Sequence, residues 1–207
     1  MGWPFFSFCE DNMTKPTSMT ELQAVNVLLT TIGEQPVNTL TGNQVTDVTI
    51  AQDVLNEVNR EVQAQGWHFN TEQQVSLVRD ASNHVNIPAD TARIDVREYD
   101  VVVRSGKLFN LSDRTYEFSS TLKADIVYYQ DFNDLPEAAK KYITTRAARI
   151  YADRMINSET INKMTSRDEQ KALIDLKEFE GDTGDYNMMD NYSVARVMNR
   201  GNHRRVI

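Results

Sequence analysis

Cysteine is nearly absent from the sequence: Cys9 stands alone, so no disulfide can close within the chain and folding in a reducing cytosol is expected. Histidine is scarce too. His68, His84 and His203 are too scattered for a His-x-x-x-His or Glu-x-x-His ligand set, and without an informative His or Cys partner a nucleophilic triad has no support. There is no Gly-rich phosphate loop, so nothing calls for a metal or cofactor. No apolar run approaches the ~20 residues of a membrane span. Trp3, Phe5, Phe6 and Phe8 lack a positive flank and an adequate apolar stretch, so they do not read as a signal peptide. Positive charge is in deficit: the net charge of −8 opposes a surface that grips phosphates throughout. The most telling absence is local. No charged residue lies between Glu21 and Glu34.

That uncharged stretch is a helix by every other sign. Ser18 and Glu21 stand at capping-box spacing. Leu22, Val25, Leu29 and Ile32 follow at helical intervals beside Leu28, and Gly33 and Pro36 stop the run. A surface helix of a monomer normally carries charge outward. Gln23, Asn26, Thr30 and Thr31 are therefore the expected contacts to another subunit. A second helix, from about Asp47 to Gln65, places Val48, Ala51, Val54 or Leu55, Val58 and Val62 on one side and Asp53, Glu57 and Glu61 on the other.

Beyond Phe69 the period shortens to two. Val75–Val78, Ile94–Val96, Tyr99–Arg104, Lys107–Leu111, Tyr116–Phe118 and Leu122–Tyr129 read as strands, with Ser105-Gly106 as a hairpin turn. In the last of them Leu122, Ala124, Ile126 and Tyr128 face one way and Lys123 and Asp125 the other, the mark of an antiparallel sheet with one wet face. Helix signals return at Asp134-Leu135-Pro136-Glu137 and run to about Asn157, with a basic surface of Lys140, Lys141, Arg146, Arg149 and Arg154 that could lie beside the acidic second helix. Ser166 to Glu169 forms another capping box, ahead of Ala172, Leu173, Leu176 and Phe179.

The fold class expected is α+β, mainly α: a helical bundle with an inserted antiparallel β module and an extended C-terminal tail. The divisions expected are 1–18 as an N-terminal extension, 19–70 and 133–181 as the two parts of the bundle, 71–132 as the β module and 182–207 as an interaction tail. From Asn191 onward the chain has no acid and carries Arg196, Arg200, Arg204 and Arg205, with Tyr192, Val194, Val197 and Met198 as apolar anchors.

Several of these stretches carry a resemblance. Ala24-Val25-Asn26 through Ile32-Gly33-Glu34-Gln35-Pro36-Val37-Asn38-Thr39-Leu40 resembles the opening of the tail tubular protein A family of short-tailed, podovirus-type phages. Gly66-Trp67-His68-Phe69-Asn70 is similar to that family's exit from its second helix. Asp131 to Pro136, the Arg146–Arg149 helix and Tyr186-Asn187-Met188 follow in the family's order. The resemblance implies a structural virion protein, made in the host cytoplasm and residing in the tail. It implies a dodecameric ring of this chain between the portal protein and a tail nozzle protein of the tail tubular protein B type. DNA would pass through the ring without sequence-specific binding, and no membrane would be involved. In that frame Tyr192, Val194, Arg196, Val197, Arg200, Arg204 and Arg205 are the expected portal contact. The competing reading is a tail-associated carbohydrate or peptidoglycan hydrolase using a carboxylate pair, since carboxylates are plentiful and their separation is invisible in sequence.

Overall fold

The computed structural model describes residues 17–42 and 46–184. Along them run α1 (Glu21–Thr31), α2 (Thr46–Gln63), β1 (Thr71–Leu77), β2 (Thr91–Val96), β3 (Val101–Arg104), β4 (Lys107–Asn110), β5 (Leu122–Tyr128), α3 (Glu137–Met155) and α4 (Glu159–Thr183). The architecture is the expected one, mainly helical with an antiparallel β module inserted between α2 and α3.

The periodic apolar positions make the bundle. Val25, Leu28 and Leu29 of α1 meet Val48, Ala51, Val54, Leu55, Val58 and Val62 of α2 and Ile143, Ala147 and Tyr151 of α3 in one continuous core. Burying each leucine contributes about 1.5–3 kcal/mol, so this seam is the principal source of bundle stability. The acidic side of α2 does lie beside basic α3. Arg154 donates to both carboxylate oxygens of Glu57 at 2.8 and 3.0 Å, and Arg146 donates to Glu61 at 2.6 Å.

The helix starts differ from expectation in three places. The cap of α1 is Thr20, not Ser18: the Thr20 hydroxyl accepts from the Gln23 amide, and the Gln23 side chain accepts from the Thr20 amide. Ser18 is drawn away by partners distant in sequence, donating to Glu137 at 2.8 Å and accepting from Lys140 at 2.7 Å. Asp134 belongs to a short 3-10 turn over Phe132–Asp134, and α3 begins after Pro136. The Ser166–Glu169 box lies inside α4, which starts at Glu159 behind Ser158 and runs past Gly181 to Thr183. Its first two turns are nearly devoid of apolar periodicity, so the sequence offered no signal for them.

In the β module, β5 is the central strand of a three-stranded antiparallel sheet ordered β1-β5-β2. Leu122, Ala124 and Ile126 are buried in a second apolar core with Val85, Leu108 and Phe118, while Lys123 stays exposed. Strand β1 starts four residues earlier than its alternation suggests. The pairing slips between Glu72 and Val75, with Gln74 at a φ of 55°, and that bulge breaks the period of two. β3 and β4 form a separate hairpin whose turn residues Ser105 and Gly106 have φ of 52° and 71°, the two left-handed positions a tight hairpin requires. Tyr116–Phe118 is not a strand. Thr115 makes one bridge to Asn110, and the Phe118 amide donates to Asn83.

Candidate assembly surfaces

The expected interface residues of α1 divide by role. Gln23 and Thr30 are exposed, and Val27, 41% exposed, stands between them on the same face. Gln23 also completes the cap. Asn26 is half-buried and fixes the following loop, donating to the Val37 carbonyl at 2.9 Å and accepting from the Val37 amide at 2.8 Å. Thr30 and Thr31 return their hydroxyls to carbonyls one turn back, at 2.8 and 2.7 Å. Each of these four side chains thus makes a hydrogen bond in its own subunit, and what α1 presents outward is a neutral row of Gln23, Val27 and Thr30.

The foot of α1 is clamped to α3. Lys140 is 2% exposed, and a buried ammonium must be compensated. It donates to Ser18 Oγ and to the Asn133 carbonyl, both at 2.7 Å. Glu137, in the first turn of α3, accepts from the Met19 amide at 3.0 Å and from Ser18. The Met19 amide bond, then the Ser18 hydroxyl and the Lys140 charge, hold the Glu137 carboxyl below the usual glutamate range.

Where bundle meets β module, three amide side chains join the incoming and outgoing chains. Asn70 donates to the Gln63 and Tyr128 carbonyls, both at 2.9 Å, and accepts from the Trp67 amide at 2.8 Å. Gln63 both donates to the Gln130 carbonyl and accepts its amide. Gln130 donates to the Phe69 carbonyl at 3.0 Å. Trp67 is buried with its indole N–H on the Val62 carbonyl, so it plugs the end of the bundle. Gly66 sits in the seam with φ of 80°, and a Cβ there would fall 3.1 Å from a Val127 methyl.

Helix α4 is strapped to the bundle mainly by charge. Only Ala172 and Leu176 of its 25 residues are buried. Glu169 accepts from Arg146 at 3.3 Å and from Arg149, Asp153 accepts from Asn162 at 2.8 and 2.7 Å, and Asp175 meets Lys141 at 3.5 Å. The bond from Glu169, followed by its charge, pushes the Arg149 guanidinium pKa up against the opposing effect of burial.

A cavity of about 310 Å³ beside β2 is lined by Ile87, Pro88, Ala89, Thr91, Ala92, Arg93, Ile94, Val103 and Gly106, with no carboxylate among them. No cluster of three or more His, Cys, Asp or Glu suited to a metal occurs among the described residues. Within them no helix is long and apolar enough to cross a membrane. His68 is exposed and its backbone amide donates to Glu180, while His84 approaches Lys107 at 3.1 Å. The portal-contact candidates Tyr192, Val194, Arg196, Val197, Arg200, Arg204 and Arg205 lie outside the described residues, as do His203 and the N-terminal aromatics.

What the described residues bring together is a set of clamped helices and outward faces: an architecture suited to assembly. Residues 22–186 match the family model described as Tail tubular protein, and the chain belongs to that family. It is similar to the Tail tubular protein A of Klebsiella phage KP34, with 28% identity over 137 residues that cover 64% of this chain and 72% of that protein. The chain is therefore a structural component of a phage virion tail.

Proposed function

We propose that this protein forms an adaptor ring between the portal and the tail nozzle and surrounds part of the DNA path. The observation that carries this reading is the neutral outward row of α1, the helix in which, at Leu22, the family match begins. A helix face without charge is inexpensive to desolvate against a neighbouring copy, whereas a charged one is not. The ring has twelve copies, the Arg-bearing segment from Tyr192 to Arg205 reaches the portal, and the β module faces the nozzle protein. Among the described residues α1 and α3 supply the rigid body from which these contacts extend. DNA slides through without base recognition, consistent with the acidic balance of the chain.

The test is the mass of the purified protein, alone and mixed with its portal, by native mass spectrometry and electron microscopy. Closed multimers that cap the portal are expected. A protein that stays monomeric in both settings refutes the ring. Thr30→Lys should weaken assembly while leaving the melting temperature of the monomer within a few degrees, because Thr30 is exposed. The carboxylate-pair hydrolase has no specific observation in its favour, and turnover of purified wall or oligosaccharide, lost on changing one carboxylate, is the result that would restore it.

A further inference from the structure

A ring built head to tail needs two different surfaces on opposite sides of each subunit. Helix α3 defines those sides. Lys140 holds Ser18 at the foot of α1, whereas Arg149 pairs with Glu169 of α4, and the nine positions separating them at about 100° each amount to about two and a half turns, which places them on opposite faces. α1 and α4 therefore flank α3 on opposite sides.

The two outward faces complement one another. The charges bounding α1 are Glu21 and Glu34, and neither carboxylate makes an ion pair among the described residues. The face of α4 opposite its buried Ala172 and Leu176 carries Lys163, Arg167, Lys171 and Ile174, with Glu178 one turn beyond Ile174. Arg167 and Lys171 have no acidic partner among the described residues, and Ile174 is 57% exposed.

We propose that in the assembled ring the outward face of α4 of one subunit lies against the outward face of α1 of the next, a pairing that rests on the ring reading above. Direction and register follow. α1 leaves the N-terminal end of α3 and runs along it, anchored there by Ser18 and by the Glu21 amide on Asn133. α4 runs the opposite way, with Asn162 at Asp153 and Asp175 at Lys141. A rotation of about 30° between neighbours in a ring of twelve leaves the helices close to antiparallel. Gln23 and Val27 then approach Ile174, and Glu34 approaches Lys163 and Arg167. The apolar pair supplies contact area, and the charges set direction and suppress the reversed pairing.

Two single-cysteine variants test this in a Cys9→Ser background: Thr30→Cys on α1 and Gln170→Cys on α4, both at exposed positions. Mixed during assembly and treated with a short bis-maleimide, they should yield a covalent dimer that neither variant yields alone. In parallel, Glu34→Lys and Arg167→Glu should each lower association by about tenfold, and the double exchange should recover most of it. If closed multimers form but the mixture gives no cross-linked dimer, the α1–α4 pairing is wrong while the ring stands. If the double exchange is additive rather than compensating, the stated register is wrong. If no multimer forms alone or with the portal, both the pairing and the ring fall.

Discussion

Gly66→Ala examines the seam between the bundle and the β module. Gly66 has φ of 80°, where an alanine costs about 1–2 kcal/mol of backbone strain. Restricting the unfolded chain returns about 0.4–1 kcal/mol. The new Cβ would lie 2.6 Å from an Arg93 guanidinium nitrogen and 3.1 Å from the Val127 methyl. The arginine tip can swing away cheaply because Arg93 is exposed. Val127 is buried on the central strand and cannot yield without shifting β5. Overpacking of this kind adds about 1–3 kcal/mol. Gly33 is the control: its φ is 88°, but a Cβ there meets nothing within 4 Å. Gly33→Ala should therefore cost only the strain less the entropy, about 0.5–1 kcal/mol, and Gly66→Ala at least ~1 kcal/mol more. Urea unfolding with an unchanged slope gives both numbers. Equal losses, within about 0.3 kcal/mol, would refute the claim that bundle and β module are in tight contact at this point.

The remaining expectations concern the clamps. Asn70→Ala leaves the Gln63 and Tyr128 carbonyls and the Trp67 amide without their partner, and should cost about 2–4 kcal/mol in urea unfolding. Glu137 has its pKa lowered by folding, so the stability it confers is present above the ordinary glutamate value and lost as pH falls through the folded value. Glu137→Gln should flatten that acid limb of a stability–pH curve while leaving the neutral-to-alkaline part parallel to the parent. Glu169→Gln frees two arginines from α4, and hydrogen exchange of Asn162–Leu173 amides should rise while those of α2 remain protected.

Legibility in the sequence followed the range of the interaction. The six buried apolar positions of α2 were readable because a 3.6-residue apolar period needs no knowledge of the partner. Leu122–Tyr128 was readable from its alternation, and Ser105-Gly106 from turn chemistry, for the same reason. Ser18 was misread because its partners are over a hundred residues away: both Ser18 and Thr20 could cap α1, and only Glu137 and Lys140 decide between them. The first turns of α4 escaped because the Asn162 amide on Asp153 holds them, and a single polar contact leaves no period. The Gln63, Asn70 and Gln130 joint was missed outright. Amides are poor predictors alone, although the position of Asn70 directly before the change of period from helix to strand was the available hint.

That joint bears on what an adaptor subunit must do. A β module tethered by two chains could swing about them if their backbone groups were left to water. Here Asn70, Gln63 and Gln130 satisfy those groups across the gap, and Gly66 lets β5 approach α2 closely enough for them to do so. Opening the joint breaks five hydrogen bonds together, each worth about 0.5–1.5 kcal/mol net, and exposes part of Val127 and Trp67 besides. At several kcal/mol the open form is populated well below one part in a hundred. Bundle and module therefore move as one body, so a displacement imposed on the β module is delivered to α2 and α3 rather than absorbed between them.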